Sequence, residues 1–334
     1  MMATRRETVA LIIPLYDEEE VFPYLFDRVE SYRTAHPEVV EVVFVDDGSR
    51  DRTAALVREM TAGRPGYTML QFSRNFGHQI AITAGMHVVT ADAAVIMDAD
   101  LQDPFSVVTE MIGLWREGYD VVYGIRKERQ GETLFKRTAT YAFYRFFQRL
   151  TDLDAPLDTG DFRLISRAVL DAYRRINDQQ PYVRGLIAWL GFNQTGIEYV
   201  RPPRAAGRTK YPLRKLIGLA MDGITSFSNK PLVYSIRLGL FSAFLAAIGV
   251  IWVLVSKLLY GVPVMGWASL MTAIFLFGGT ILVSLGVIGT YLARIFDQVR
   301  NRPQYVIRDR WVSDSTVARE FSPIEHPKSV SPLS

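Results

Sequence analysis

Apolar residues in the first third of the chain come in short runs separated by polar stretches with helical spacing. Thr8–Pro14 (TVALIIP) is a continuous β-rich run, the pattern of a central parallel strand buried on both faces. The acids that follow Tyr16 suit the first turn of a helix reaching about Ala35. Val39–Val45 predicts a second strand, Asp51–Met60 a helix, Thr68–Phe72 a third strand and His78–Val89 another helix. Ala93–Met97 reads as a fourth strand and Asp120–Ile125 as a further one. Between them Pro104–Glu117 predicts a helix with Asp103 as its N-cap. Strands alternating with helices imply right-handed crossovers and an α/β fold with a doubly wound, mostly parallel sheet.

Beyond this region the periodicity changes. Phe135, Ala139, Phe143, Phe146 and Leu150 share one face of a helix over about 133–150, and Leu213, Leu216, Ile217, Ile224 and Phe227 repeat the pattern over about 212–228. Basic residues flank both, which suits helices lying in a headgroup layer; core-facing helices read the same way. Leu238–Val255 and Ala268–Ala293 carry no charge and are long enough to cross a bilayer at about 1.5 Å per residue. Gly278, Gly279, Gly286 and Gly289 suit close packing of such helices, and a pair of buried core helices is the competing reading. The chain thus divides into a domain over 1–230 that includes the amphipathic helices, a two-helix transmembrane region over 231–295, and a tail over 296–334. The tail is rich in Ser and Pro after Trp311 and is expected to be partly disordered.

Charge sets an orientation. Residues 201–237 carry Arg201, Arg204, Arg208, Lys210, Arg214, Lys215, Lys230 and Arg237 against the single acid Asp222, and Arg294, Arg300, Arg302, Arg308 and Arg310 follow the second run. The connecting Tyr260–Trp267 has no charge, so the positive-inside rule places both ends in the cytoplasm at a plasma (inner) membrane. Met1–Glu7 is charged and leads straight into a strand, unlike a signal peptide. A net charge of +3 over 334 residues gives no reason to expect nucleic acid as a partner. The absence of cysteine excludes a thiolate nucleophile, a cysteine metal site and a disulfide framework.

The predicted strands end in polar clusters at Pro14–Glu18, Asp46–Ser49 and Asp98–Asp103. In a parallel sheet these ends lie on one edge, where open α/β sheets bind ligands. Carboxylates gathered there repel one another unless cations or donors satisfy them. The Asp98-Ala99-Asp100 turn offers ligands that Mg²⁺ or Mn²⁺ prefers, with a diphosphate supplying further oxygens; a capped acidic turn is the alternative. Neither a G-x-G-x-x-G after the first strand nor a Walker loop is present.

The segments IIPLYDEEE (12–20), FVDDGSRDRT (44–53), FSRNFGHQIAITAGM (72–86), DADLQDP (98–104), YGIRKERQGE (123–132), TGDFRLISR (159–167) and RPPRAAGRTKY (201–211) occur in that order. Together with the apolar runs they cover almost the whole chain. In them the chain resembles GT-A fold, family-2 inverting glycosyltransferases, specifically the polyprenyl-phosphate, dolichol-phosphate mannose synthase-like branch. Within that branch it looks most like bacterial membrane enzymes that make undecaprenyl-phosphate glucose. One departure is Asp17, where the family usually has Asn.

The resemblance implies roles. Pro14, Tyr16, Glu18 and Asp46 would line the nucleotide base and ribose of a nucleotide-sugar donor, with Asp98 on the ribose or the metal. Asp100 and Gln102 would ligate Mg²⁺ or Mn²⁺ on the diphosphate. Asp161 would be the catalytic base or would orient the acceptor phosphate, the alternatives being a helix cap or a salt bridge to Arg163. Arg126 and Arg137 would grip the phosphate of a polyprenyl acceptor, or else be surface charges. Arg204 and Lys210 would lie in a basic loop over the donor, hinged at Gly207. The implied reaction is inverting transfer of a sugar, preferably glucose from UDP-glucose, to undecaprenyl phosphate beside the lipid bilayer. GDP-mannose is an alternative donor, and a homo-oligomer is allowed for. A processive polysaccharide synthase is a rival, weakened by the absence of Q-x-x-R-W and of further spans; a non-catalytic membrane scaffold is another.

Overall fold

A computed structural model of the protein describes residues 7–126, 159–200, 228–260 and 266–313. The first part alternates strand and helix: β1 (Val9–Leu15), α1 (Phe22–Ala35), β2 (Val39–Asp46), α2 (Thr53–Thr61), β3 (Tyr67–Phe72), α3 (His78–Val88), β4 (Ala93–Ile96), α4 (Phe105–Arg116) and β5 (Val121–Arg126). β6 (Thr159–Ser166), α5 (Arg167–Tyr173), α6 (Val183–Trp189) and β7 (Gln194–Tyr199) follow. Two long helices, α7 (Lys230–Tyr260) and α8 (Trp267–Arg300), precede β8 (Ile307–Val312).

All the strands join one sheet in the order β7-β5-β6-β4-β1-β2-β3-β8. β1 is buried along its whole length because its alternate side chains feed two apolar layers. Val9, Leu11, Ile13 and Leu15 pack with Phe22, Leu25 and Phe26 of α1 and with Val108 and Met111 of α4. Ala10 and Ile12 pack on the other face with α3, α5 and α6. At Gly85 of α3 a Cβ would come within 2.3 Å of Ile12 Cγ2, so the helix needs glycine to lie this close to the strand. Pro14 loses no ladder bond, because β4 pairs with β1 only as far as Ile12 before turning away.

The sheet is mixed. β1–β2, β1–β4, β2–β3 and β5–β7 are parallel. β6 enters antiparallel between β4 and β5, and β8 closes the far edge antiparallel to β3. The segment after the second long helix thus returns to the same sheet.

Other differences from expectation are local. The acids at 17–20 stand before α1, which begins at Phe22, and those at 17–19 bond across to residues 49–53. Pro104, not Asp103, occupies the N-cap of α4, and no side chain caps that helix. The expected helices at about 133–150 and most of that at 212–228 lie outside the described residues, as do Arg137, Arg204 and Lys210.

α7 and α8 pack on each other and remain exposed along most of their length. Lys230–Leu259 and Thr272–Arg300 have the length and apolar composition to cross a membrane, with mean hydropathies of 2.5 and 2.0. At the glycines 278, 279, 286 and 289 an added Cβ meets nothing within 4 Å among the described residues.

Candidate active site

β2, β1 and β4 run parallel, so their carboxyl ends deliver the acidic loops to one edge of the sheet. At about 4.8 Å per strand, Asp46 at the end of β2 and Asp98 after β4 stand on the order of 10 Å apart. Asp46 is fully buried; its Oδ1 accepts from the Ser49 amide at 3.0 Å, and its Oδ2 has no hydrogen-bond partner among the described residues. A buried carboxylate oxygen without a donor is costly, and a ligand N–H or O–H would relieve it.

The neighbouring Asp47 does different work. Its carboxylate accepts from the amides of Phe76 at 2.6 Å and Gly77 at 2.9 Å, holding the 73–77 loop against β2, while burial pushes its carboxyl up. Gly48, with φ +71°, lets the two loops touch: a Cβ there would lie 2.4 Å from the Arg74 carbonyl carbon.

The first loop is pinned from the other side. The Asp17 amide donates to Ser49 Oγ at 3.0 Å, and its carboxylate accepts from Arg50 N–H at 2.7 Å. Asp17 has φ +52°, a left-handed conformation that Asp and Asn tolerate better than most residues. That explains why Asp can replace the family's Asn. The Glu18 amide bonds Thr53 Oγ1 at 2.9 Å, leaving Tyr16 exposed beside the buried Pro14.

The D-x-D turn is built from beneath. Asp103 Oδ2 accepts from the Asp98 amide at 3.0 Å, and Oδ1 accepts from the Tyr199 hydroxyl at 3.1 Å. Asp103 is therefore a buried strut of the turn. Asp100 Oδ1 accepts from the Gln102 amide at 3.1 Å across Leu101, which sits at φ +59°. Asp98 and Asp100 are half-exposed, whereas Gln102 is buried. Burial pushes the Asp98 carboxyl up, and the Asp161 and Asp100 charges add to this against His78.

Asp161 enters on β6, next to β4. Its Oδ1 accepts from Arg184 Nε at 2.8 Å; its Oδ2 accepts from Gln79 Nε2 at 3.0 Å and lies 3.3 Å from His78 Nε2. Burial opposes ionisation here, but the His78 bond and the Arg184, His78 and Arg163 charges hold the carboxyl far below the ordinary range. His78 also lies 3.5 Å from Asp98 Oδ1, bridging the two acids. The ion pair of Asp161 is thus with Arg184; Arg163 is buried and donates to the Gly160 carbonyl at 3.0 Å. Arg126 is half-buried, with Nε 3.4 Å from the Tyr199 hydroxyl and its guanidinium packed over Gly160.

His78, Gln79 and Arg184 were not singled out by residue reasoning. The first two lie in the FSRNFGHQ segment, just after a loop, at the start of α3. Arg184 offered no sequence signal, because its partner is 23 residues away on a different element.

Among the described residues no three acids or histidines form a metal cage. Two adjacent half-exposed carboxylates still fit a hard cation that completes its shell with phosphate oxygens. The arrangement offers a buried acceptor at one end, two partly exposed carboxylates in the middle and a guanidinium-held carboxylate at the other. It can seat a ligand carrying a hydrogen-bond donor group, a diphosphate and a reactive centre.

Residues 10–174 match the family model described as glycosyl transferase family 2. The chain is 45% identical to the uncharacterized glycosyltransferase YkcC of Bacillus subtilis, over 91% of this chain and 94% of that one. It is 35% identical to a prophage-derived bactoprenol glucosyl transferase of Shigella flexneri, over 90% and 97% of the respective chains. A solved mannosyltransferase of Pyrobaculum calidifontis, in complex with GDP-Man and Mn²⁺, aligns at 17% identity over 89% of this chain and 88% of that one, with a TM-score of 0.49.

Proposed function

The chain belongs to glycosyl transferase family 2, and from that premise we propose that it moves glucose from UDP-glucose onto a polyprenyl phosphate at the cytoplasmic face of a membrane. The observation that carries the reading is the Asp46 oxygen, buried without a donor among the described residues, on the same sheet edge as the two partly exposed carboxylates of the D-x-D turn. A uracil imide N–H suits that oxygen. The lipid acceptor is supported by likeness to relatives named bactoprenol glucosyl transferases along nearly their whole length, and by the two long apolar helices.

In this reading Pro14, Tyr16, Glu18 and Asp46 line the nucleoside. Asp98 and Asp100, with Gln102 behind them, would hold Mg²⁺ or Mn²⁺, which supplies positive charge to the donor diphosphate. A phosphate oxygen of the acceptor attacks the anomeric carbon from the face opposite the leaving group. The bond from that carbon to the diphosphate oxygen breaks, nucleoside diphosphate departs, and the configuration inverts. The attacking oxygen is already ionised near neutral pH, so orientation and charge stabilisation carry the rate. Asp161 accordingly orients cations and acceptor, as its strongly favoured ionised form suits. Arg126 and Arg137 grip the acceptor phosphate, and Arg204 and Lys210 approach the leaving diphosphate.

The test is transfer of radiolabel from UDP-glucose to undecaprenyl phosphate by purified protein with Mg²⁺, read in the organic extract. Label should enter the lipid from UDP-glucose, and Asp100→Ala should lower the rate by on the order of 10²-fold or more. Label entering only from GDP-mannose would reassign the sugar, and no labelled lipid from either donor would overturn the reading.

A further inference from the structure

The catalytic carboxylate and the second apolar helix are joined by one short strap, residues 177–184. At its far end the strap sits on α8 and the turn beyond it. The Gln179 amide donates to Gln298 Oε1 at 3.2 Å, Gln180 Nε2 to Asp297 Oδ2 at 3.3 Å, and Asn177 Nδ2 to Asn301 Oδ1 at 3.1 Å. Gln298 and Gln304 return bonds to the carbonyls of Asn177 and Asp178.

At its near end the strap reaches Asp161 twice. Arg184 pairs with it directly, and the Val183 amide donates to Gln79 Oε1 at 3.0 Å while the same Gln79 amide group donates to Asp161. Gln79 can serve both partners in one orientation only. Gln180 and Arg184 are four positions apart, so they lie no more than about 14 Å from each other even when extended.

The end of α8 is itself fixed to the sheet. Asn301 closes the helix at φ +46°, Tyr305 stacks on Phe72 with ring centroids 5.1 Å apart, and the Val306 carbonyl accepts from the Ser73 amide at 2.9 Å. β8 then pairs with β3.

We propose that Gln298 and Gln304 are positioning residues, which seat the strap so that Arg184 and Gln79 hold Asp161 in its working orientation. The acceptor side of the site is thereby assembled on the end of the second apolar helix. This rests on the acceptor role given to Asp161 above.

The experiment is the full-length double variant Q298A/Q304A, compared with the parent in the same detergent. Losing such bonds predicts an acceptor KM raised about fivefold or more, with UDP affinity unchanged by calorimetry. Hydrogen exchange at the 183–186 amides should speed up, while the 46–53 segment keeps its rate. Unchanged acceptor KM together with unchanged exchange overturns the proposal. Equal losses in UDP affinity and acceptor KM, with a lower Tm, also overturn it, because they mark general destabilisation. If the parent itself transfers no sugar to polyprenyl phosphate, the functional reading fails, and the exchange rates at 183–186 still decide whether the strap holds.

Discussion

Asp46 and Asp47 are adjacent in sequence, carry the same side chain and are both buried, yet one keeps an oxygen without a donor among the described residues and the other spends both on backbone amides. Strand alternation sends them to different surroundings, which residue type alone cannot reveal. The cluster of acids at the strand ends was legible because β1, β2 and β4 are short apolar runs with polar ends. Asp103 was misread for the same local reason: Asp before Pro is a common helix start, and only the fold brings Tyr199 to it. At Gly48 the demand is conformational and steric together. Gly48→Ala should destabilise the protein by roughly 1–3 kcal/mol and weaken nucleotide binding; an unchanged urea midpoint would show that the two loops do not depend on each other. His87 gives a pH dependence. Burial, with the Arg174 charge, lowers its pKa from the ordinary 6.5 to about 4, while Tyr305 lies 3.2 Å from Nδ1. The unfolded chain therefore binds a proton that the folded chain does not. Stability from this group is complete above about 6.5 and is lost as pH falls from there toward about 4. His87→Gln should flatten that part of a stability–pH curve.

Among the elements, β1 to β5 and the helices between them followed from periodicity to within a few residues. β6 and β8 did not, because an antiparallel insertion depends on what its neighbours leave open, and neither did β7 at the edge beyond β5. Yet β6 brings Asp161 to the site, and the end of β7 brings Tyr199 under the D-x-D turn. Tyr199 is 4% exposed and Asp103 2% exposed, so Tyr199→Phe leaves a buried carboxylate short of a donor. We expect a loss of about 1–3 kcal/mol in denaturant unfolding and a weaker donor affinity. If neither moves, the strut does not support the turn.

For the molecule as a whole, the apolar runs were visible at once, since an uncharged stretch of that length needs no partner to be recognised. Their seating on the catalytic domain was not, because it rests on glutamines and asparagines that look like ordinary surface residues. The orientation read from charge is directly testable in a chain without cysteine. A single cysteine at Val262 should react with a membrane-impermeant maleimide in intact cells, and one at the exposed Arg302 only after lysis. The opposite labelling pattern would invert the topology and remove the cytoplasmic site.

The pairing of β3 with β8 also orders events in synthesis. Tyr67 bonds Ser313 across 246 residues, so β3 must wait for both long helices to be made before its outer edge is covered. At ordinary elongation rates that interval is on the order of tens of seconds. An open strand edge through that time is a template for wrong pairing. Completion of the catalytic sheet is thus tied to delivery of the last helix, so a nascent chain stalled at the membrane would remain an unfinished enzyme.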